Sequence, residues 1–318
     1  MALIRTHDLV KDFGDTRAVD HVSLTVDAGE VVGLVGANGA GKTTLIRLLL
    51  GLLQPSAGQV ELLGGPPDRS TRRGLGYMPQ GLGLYTDLTV AENLSFQAAV
   101  YGDTMPVGDE LAAVVDVLVD DLALGMKRQT AFAAALGHRP KVLVLDEPTS
   151  GVGPLGRADL WDTIHEAADA GVAVLVTTHY MDEAAQCDRL VIMAHGQQVA
   201  TGTPSGIVGD LTVAEVATPD PTALRRLEDA GFTVLPSSGS LRVITDDEAA
   251  LARALQDAPA NPGSLQGPAA SPDAVRQPAA DPGVERDPGP VEPVRITRQP
   301  ATLEEAFIVA VGPASVSA

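Results

Sequence analysis

Of 318 residues a single one is cysteine, Cys187, so no internal disulfide can staple the fold. No apolar stretch reaches the roughly 18 uninterrupted residues a membrane-spanning helix needs, and the N-terminus lacks an apolar secretory core. The chain is therefore expected to stay cytoplasmic and not to enter a bilayer by itself. Positive charge is also scarce: 22 Lys and Arg face 41 Asp and Glu, a formal charge of −19. That excess repels nucleic acid and anionic headgroups, so no nucleic-acid partner is expected and attachment to a membrane would need a protein partner. Heptad repeats are missing too. What is present is a 45% apolar chain, long enough for one large α/β domain and a smaller one.

The most informative segment is Gly36-Ala37-Asn38-Gly39-Ala40-Gly41-Lys42-Thr43, which fits GxxxxGK[ST]. Apolar Val31–Val35 precedes it and Thr44-Leu45-Ile46-Arg47-Leu48 follows, giving strand, glycine loop and helix. The glycines let successive N–H groups turn toward one anion at a helix start, where Lys42 reaches the β- and γ-phosphates and Thr43 ligates Mg²⁺. About a hundred residues later Val142-Leu143-Val144-Leu145 closes on Asp146-Glu147-Pro148-Thr149-Ser150. Such a run reads as a buried parallel strand with carboxylates at its C-terminal end, the edge where open α/β sheets bind ligands. Asp146 is expected to hold Mg²⁺ and Glu147 to act as general base toward water.

With both segments in place, the chain resembles the nucleotide-binding subunits of ATP-binding cassette (ABC) transporters. The resemblance covers the first two hundred residues and implies ATP and Mg²⁺ as ligands. It places Gly36, Asn38, Gly39, Gly41, Lys42, Thr43 and Thr44 around the nucleotide. Phe13 would stack on adenine, although an aromatic at a strand end is also a simple core residue. Thr43, Gln80 and Asp146 would serve the metal. Glu147, Gln80 and His179 would act in catalysis, Gln80 in Tyr77-Met78-Pro79-Gln80 also linking the core to a helical subdomain.

The implied fold is α/β: a P-loop NTPase core with an antiparallel β subdomain and a helical subdomain at about 86–136, together filling 1–210. In that subdomain Leu111, Val114, Val115, Leu118 and Val119 form a stripe at helical spacing. Residues 211–318 read as an accessory α+β domain of ferredoxin-like type. Its strands are expected near 212–216, 232–235, 241–244 and 294–297, and a closing amphipathic helix at 302–311. The Pro- and Ala-rich stretch 257–293 interrupts it and has too few large apolar residues to order itself. This ending resembles cassette subunits of drug and lipid exporters, or else is a generic small appendage. Trp161 and the methionines read as core.

Two departures from the family pattern concern groups that act on a partner cassette's nucleotide. Where an LSGGQ-type signature is expected the chain has Leu122-Ala123-Leu124-Gly125-Met126, so Ala123 replaces a serine and Leu124 a glycine. Gly153 stands where the D-loop aspartate would be. The resemblance thus implies a second cassette, identical or different, and a separate membrane permease. The other readings are a soluble non-transport cassette ATPase, a nucleotide-gated subunit with little hydrolysis, and a shortened loop that shifts the alignment and leaves the lid to other residues.

Overall fold

A computed structural model describes residues 1–102, 108–218, 220, 222–237, 239–256 and 294–312. The chain runs β1 (Ala2–Phe13), β2 (Thr16–Val22), β3 (Thr25–Asp27), β4 (Val31–Val35), α1 (Lys42–Leu49), β5 (Ala57–Leu62) and β6 (Leu75–Met78). Then come α2 (Val90–Tyr101), α3 (Asp109–Ala112), α4 (Leu124–Leu136), β7 (Val142–Asp146), α5 (Pro154–Asp169) and β8 (Ala173–Thr178). After these follow α6 (Met181–Ala184), β9 (Arg189–Ala194), β10 (Gln197–Gly202) and α7 (Pro204–Val208). The remainder is β11 (Thr212–Ala217), α8 (Ala223–Asp229), β12 (Thr233–Ser237), β13 (Ser240–Ile244), α9 (Glu248–Gln256), β14 (Arg295–Pro300) and α10 (Leu303–Val311).

Two compact units result. In the first, a six-stranded sheet has the order β10-β9-β4-β8-β7-β6, parallel except for β10 at its edge. β4, β7 and β8 are buried along their whole length because both faces are covered, which explains their apolar sequences up to the polar residues at the ends of β7 and β8. On one face Leu45, Ile46, Leu48 and Leu49 of α1 pack with the antiparallel sheet formed by β1, β2, β3 and β5. On the other, Leu160, Trp161 and Ile164 of α5 pack with Phe132 of α4. The parallel register ends β4, β7 and β8 at one edge, so the glycine loop, Asp146 and Thr178 emerge side by side.

The helical segment differs from its sequence pattern. The stripe from Leu111 to Val119 is α-helical only to Ala112, and Val119 opens a separate 3-10 turn. Beyond it, carbonyls of Val115 and Val117 accept from the N–H groups of Ala91 and Val90, and Val119 donates to Leu88. The backbone there completes the first turn of α2, whose Thr89–Glu92 capping box supplies the rest, instead of continuing a helix of its own.

The second unit spans 210–301. Its antiparallel sheet has the order β12-β13-β11-β14, the arrangement of a β-α-β-β-α-β ferredoxin-like sandwich. Leu227 of α8 and Leu251 and Leu255 of α9 bury themselves against Ala214, Val216 and Val243. The proposed insertion 257–293 lies outside the described residues. One boundary is corrected: the helix expected to close the accessory domain, α10, belongs to the first unit. Phe307 joins the Trp161 core, and the helix lies against α7, β9 and β10. Its apolar side chains find an existing core there, and its Thr302–Glu305 capping box starts it sharply.

Candidate nucleotide site

Gly36 opens the loop with no room for a side chain, since a Cβ there would lie 2.5 Å from the Met193 carbonyl oxygen. Gly41 has φ +102°, and its Cβ would meet the Ala18 carbonyl oxygen at 2.4 Å, so β2 and β9 press on the loop from outside. Gly41 is also the N-cap of α1 and offers no side-chain acceptor. The first N–H groups of that helix therefore keep their capacity to bind an anion. Asn38, Gly39 and Thr43 are exposed, whereas Lys42 is buried. Its Nζ donates to the Gly36 carbonyl at 2.7 Å and the Ala37 carbonyl at 3.1 Å, leaving one of three protons. Burial pushes the Lys42 ammonium below its ordinary range, and the charges of Glu147 and Asp146 pull the other way.

The acids lie at the end of β7. Asp146 is 5% exposed, and burial raises its carboxyl above the usual range against a hydrogen bond from Thr177 and the charges of Lys42 and Arg47. Thr177 Oγ1 donates to Asp146 Oδ1 at 2.7 Å and accepts from the Glu147 N–H at 2.9 Å. Glu147 has φ +50°, left-handed backbone for a residue with a side chain, a strain of a kind found at functional sites. Its carbonyl accepts from Arg128 Nη1 at 3.1 Å, so both backbone groups are tied. Glu147 Oε2 accepts from Gln80 Nε2 at 3.1 Å, and Oε1 lies 3.6 Å from His179 Nδ1.

The expected site residues thus gather around Glu147: Gln80 and His179 directly, Lys42 and Asp146 through charge. Phe13 lies at the tip of the β1–β2 hairpin, 48% exposed, with Lys11 Nζ 5.1 Å from its ring centroid. That exposure leaves the aromatic face accessible and rules out the core alternative. Thr44, the second residue after Lys42, is half-buried in the first turn of α1.

The site fits a magnesium nucleotide. The described residues contain no cluster of three or more His, Cys, Asp or Glu able to hold a metal alone. A magnesium site needs none, because Mg²⁺ takes one or two carboxylates and completes its shell with phosphate oxygens and water. Asp146 and the Thr43 hydroxyl would be the donors that hold it.

Sequence reading missed Thr177, Arg128, Thr149 and Glu183. Thr177 and Thr178 precede His179, and two hydroxyls at the ligand edge of a strand were the available signal. Arg128 gave none, for its reach to Glu147 depends on how α4 lies across the sheet. In the signature segment, Ala123 is the N-cap of α4 and supplies no side-chain acceptor. Leu124 is 42% exposed, and its Cδ2 lies 2.6 Å from where a Cβ on Gly151 would sit.

A glycine-loop fold with its acids at the carboxyl edge of the neighbouring strands defines a P-loop nucleotide-binding domain. Residues 19–150 match the ABC transporter family profile. Over 242 residues the chain is 39% identical to Nod factor export ATP-binding protein I of Burkholderia lata, covering 71% of this chain and 80% of that one. It is 42% identical over 233 residues to a protein of Escherichia coli K12 named "Probable multidrug ABC transporter ATP-binding protein YbhF". That match takes in 69% of this chain and 40% of the relative's length. A solved ATP-binding subunit of an ABC transporter superposes with a TM-score of 0.59 at 29% identity, over 64% of this chain and 91% of that one. The chain belongs to the ABC transporter family.

Proposed function

We propose that this chain binds ATP with Mg²⁺ and hydrolyses it, and that it drives export through a separate membrane permease to which it attaches on the cytoplasmic side. The observation that carries this is the position of Glu147, held between Gln80 and His179 and within the field of Lys42 and Asp146. Lys42 and the loop N–H groups would hold the phosphates, Phe13 would offer a face to the purine, and Asp146, Thr43 and Gln80 would hold the metal. Magnesium supplies charge neutralisation on the phosphate oxygens. Glu147 takes the proton of the attacking water, whose oxygen bonds to the γ-phosphorus as the bond to ADP breaks. His179 and Gln80 orient that carboxylate and the water. No helix among the described residues is long and apolar enough to cross a membrane; the permease is assigned to a separate chain on the resemblance to cassette subunits. The names of the relatives, multidrug and Nod factor export, support export over import.

The site is completed by a second cassette. Ala123, Leu124 and Gly153 make this chain a poor lid for a partner's nucleotide, while the residues acting on its own nucleotide are intact. A homodimer would turn over slowly, and pairing with a cassette that carries an intact signature would restore the site built here. The test is phosphate release by the purified chain, alone and with candidate partner cassettes, with Glu147→Gln as the control. Turnover unaffected by Glu147→Gln would refute the proposed chemistry, and equal ATP retention after Lys42→Ala would refute the binding site. Co-purification with a detergent-soluble membrane protein separates transport from a soluble role.

A further inference from the structure

Glu183 is the one acid of α6 that is fully buried, 1% exposed, and the roles proposed above make no use of it. Its Oε1 accepts from Thr149 Oγ1 at 2.6 Å and its Oε2 from Thr178 Oγ1 at 2.6 Å. Arg157 Nε of α5 lies 3.3 Å from Oε1. The same guanidinium sits 4.5 Å from the centroid of the Tyr180 ring, which neighbours the His179 ring at 4.1 Å. Thr178 Oγ1 in turn accepts from the Tyr180 N–H at 3.0 Å. One carboxylate therefore joins three segments: the turn two residues past Glu147, the strand end that presents His179, and the helix that follows the 150–153 turn. A buried carboxylate costs desolvation unless hydroxyls and a cation satisfy it, and here all its partners come from those segments.

We propose that Glu183 is a positioning residue for hydrolysis. It fixes His179 and the 147–153 turn in one register, so that movement of either is felt by the other. The inference rests on the reading of Glu147 and His179 as the hydrolytic pair. It explains two threonines at sites where apolar side chains would pack as well: their hydroxyls face one shared acceptor.

The test compares Glu183→Gln and Thr178→Val with the unmodified protein by ATP turnover and by amide hydrogen exchange. Gln puts an NH₂ donor where one carboxylate oxygen accepts a hydroxyl, so kcat is expected to fall about ten- to a hundredfold with KM for ATP unchanged. Exchange should accelerate at 147–153 and 177–180 and stay level in β4 and α1. Thr178→Ser, which keeps the hydroxyl, should recover most of the loss seen with Thr178→Val. On a His179→Ala background, Glu183→Gln should slow turnover little further, because the two residues act in one chain. Unchanged exchange at both segments, an even rise across the domain, or full independence from His179→Ala would overturn the proposal. Absence of hydrolysis in the unmodified protein would overturn the reading of function instead, while the exchange pattern would still decide whether Glu183 holds the two segments.

Discussion

Thr177 and Asp146 share a buried hydrogen bond of 2.7 Å, and the same hydroxyl receives the Glu147 N–H. Replacing it with an isosteric apolar group leaves a carboxylate oxygen and an N–H without partners. Thr177→Val is expected to cost about 1–3 kcal/mol of stability. Because that hydrogen bond lowers the Asp146 pKa, its loss should raise it further and move the acid limb of ATP turnover to higher pH. Thr177→Ser should show neither effect. Thermal unfolding and a pH–rate profile measure both.

Asp146 carries a stability cost of determinate sign. Its folded pKa is raised above the ordinary carboxylate value, chiefly by burial, so the native state favours the protonated form. The stability it contributes is present below the unfolded pKa and is lost as pH rises through the folded one. Asp146→Asn should therefore unfold at a higher temperature at neutral pH while losing magnesium-dependent turnover, a trade common at functional sites.

The glycine loop permits a steric prediction. Gly36→Ala places a methyl group 2.5 Å from the Met193 carbonyl oxygen, and Gly41→Ala places one 2.4 Å from that of Ala18 at a left-handed φ. Either should cost about 1–3 kcal/mol through overpacking and weaken nucleotide binding more than tenfold. Gly39→Ala meets nothing within 4 Å, although its φ of +80° still imposes strain, so it should be the mildest of the three. Fluorescent-nucleotide titration orders them.

Ala123 caps α4 without an acceptor. Ala123→Ser supplies one and should add about 1 kcal/mol, read as roughly 2–4 °C in the unfolding midpoint of a domain this size. Combined with Leu124→Gly and Gly153→Asp it should raise homodimer turnover. An unchanged rate would show that other residues already form the lid.

Cys187 is buried beside Gly33, and burial with the charges of Asp188 and Glu183 pushes its thiol up to about 12. The thiolate is the reactive form, so iodoacetamide should leave the folded protein unlabelled at pH 8 and modify it fully in denaturant.

How far the sequence could be read follows from the range of the forces involved. The loop 36–43 and the run 142–147 identify themselves because strand burial and phosphate binding impose local patterns. The β-α-β-β-α-β succession from β11 to β14 is legible element by element, each having its own period, whereas the order of the strands in the sheet is seen only in the structure. The stripe 111–119 misled because its backbone carbonyls serve α2, a choice no spacing reveals. α10 misled for a similar reason: an amphipathic helix announces that it has an apolar face but not which core receives it. No pattern in the sequence marks Glu183, and only the meeting of Thr149, Thr178 and Arg157 in space gives it partners.

The return of α10 to the nucleotide-binding core makes 210–301 an insertion that splits the first unit into two stretches of chain, not a tail. Such an arrangement lets evolution enlarge, shrink or exchange the inserted module while Phe307 stays in the interior of the ATPase. It also means that cutting the chain after Gly209 would unroof the catalytic half, so a minimal version of that half should be engineered by bridging the two cut ends.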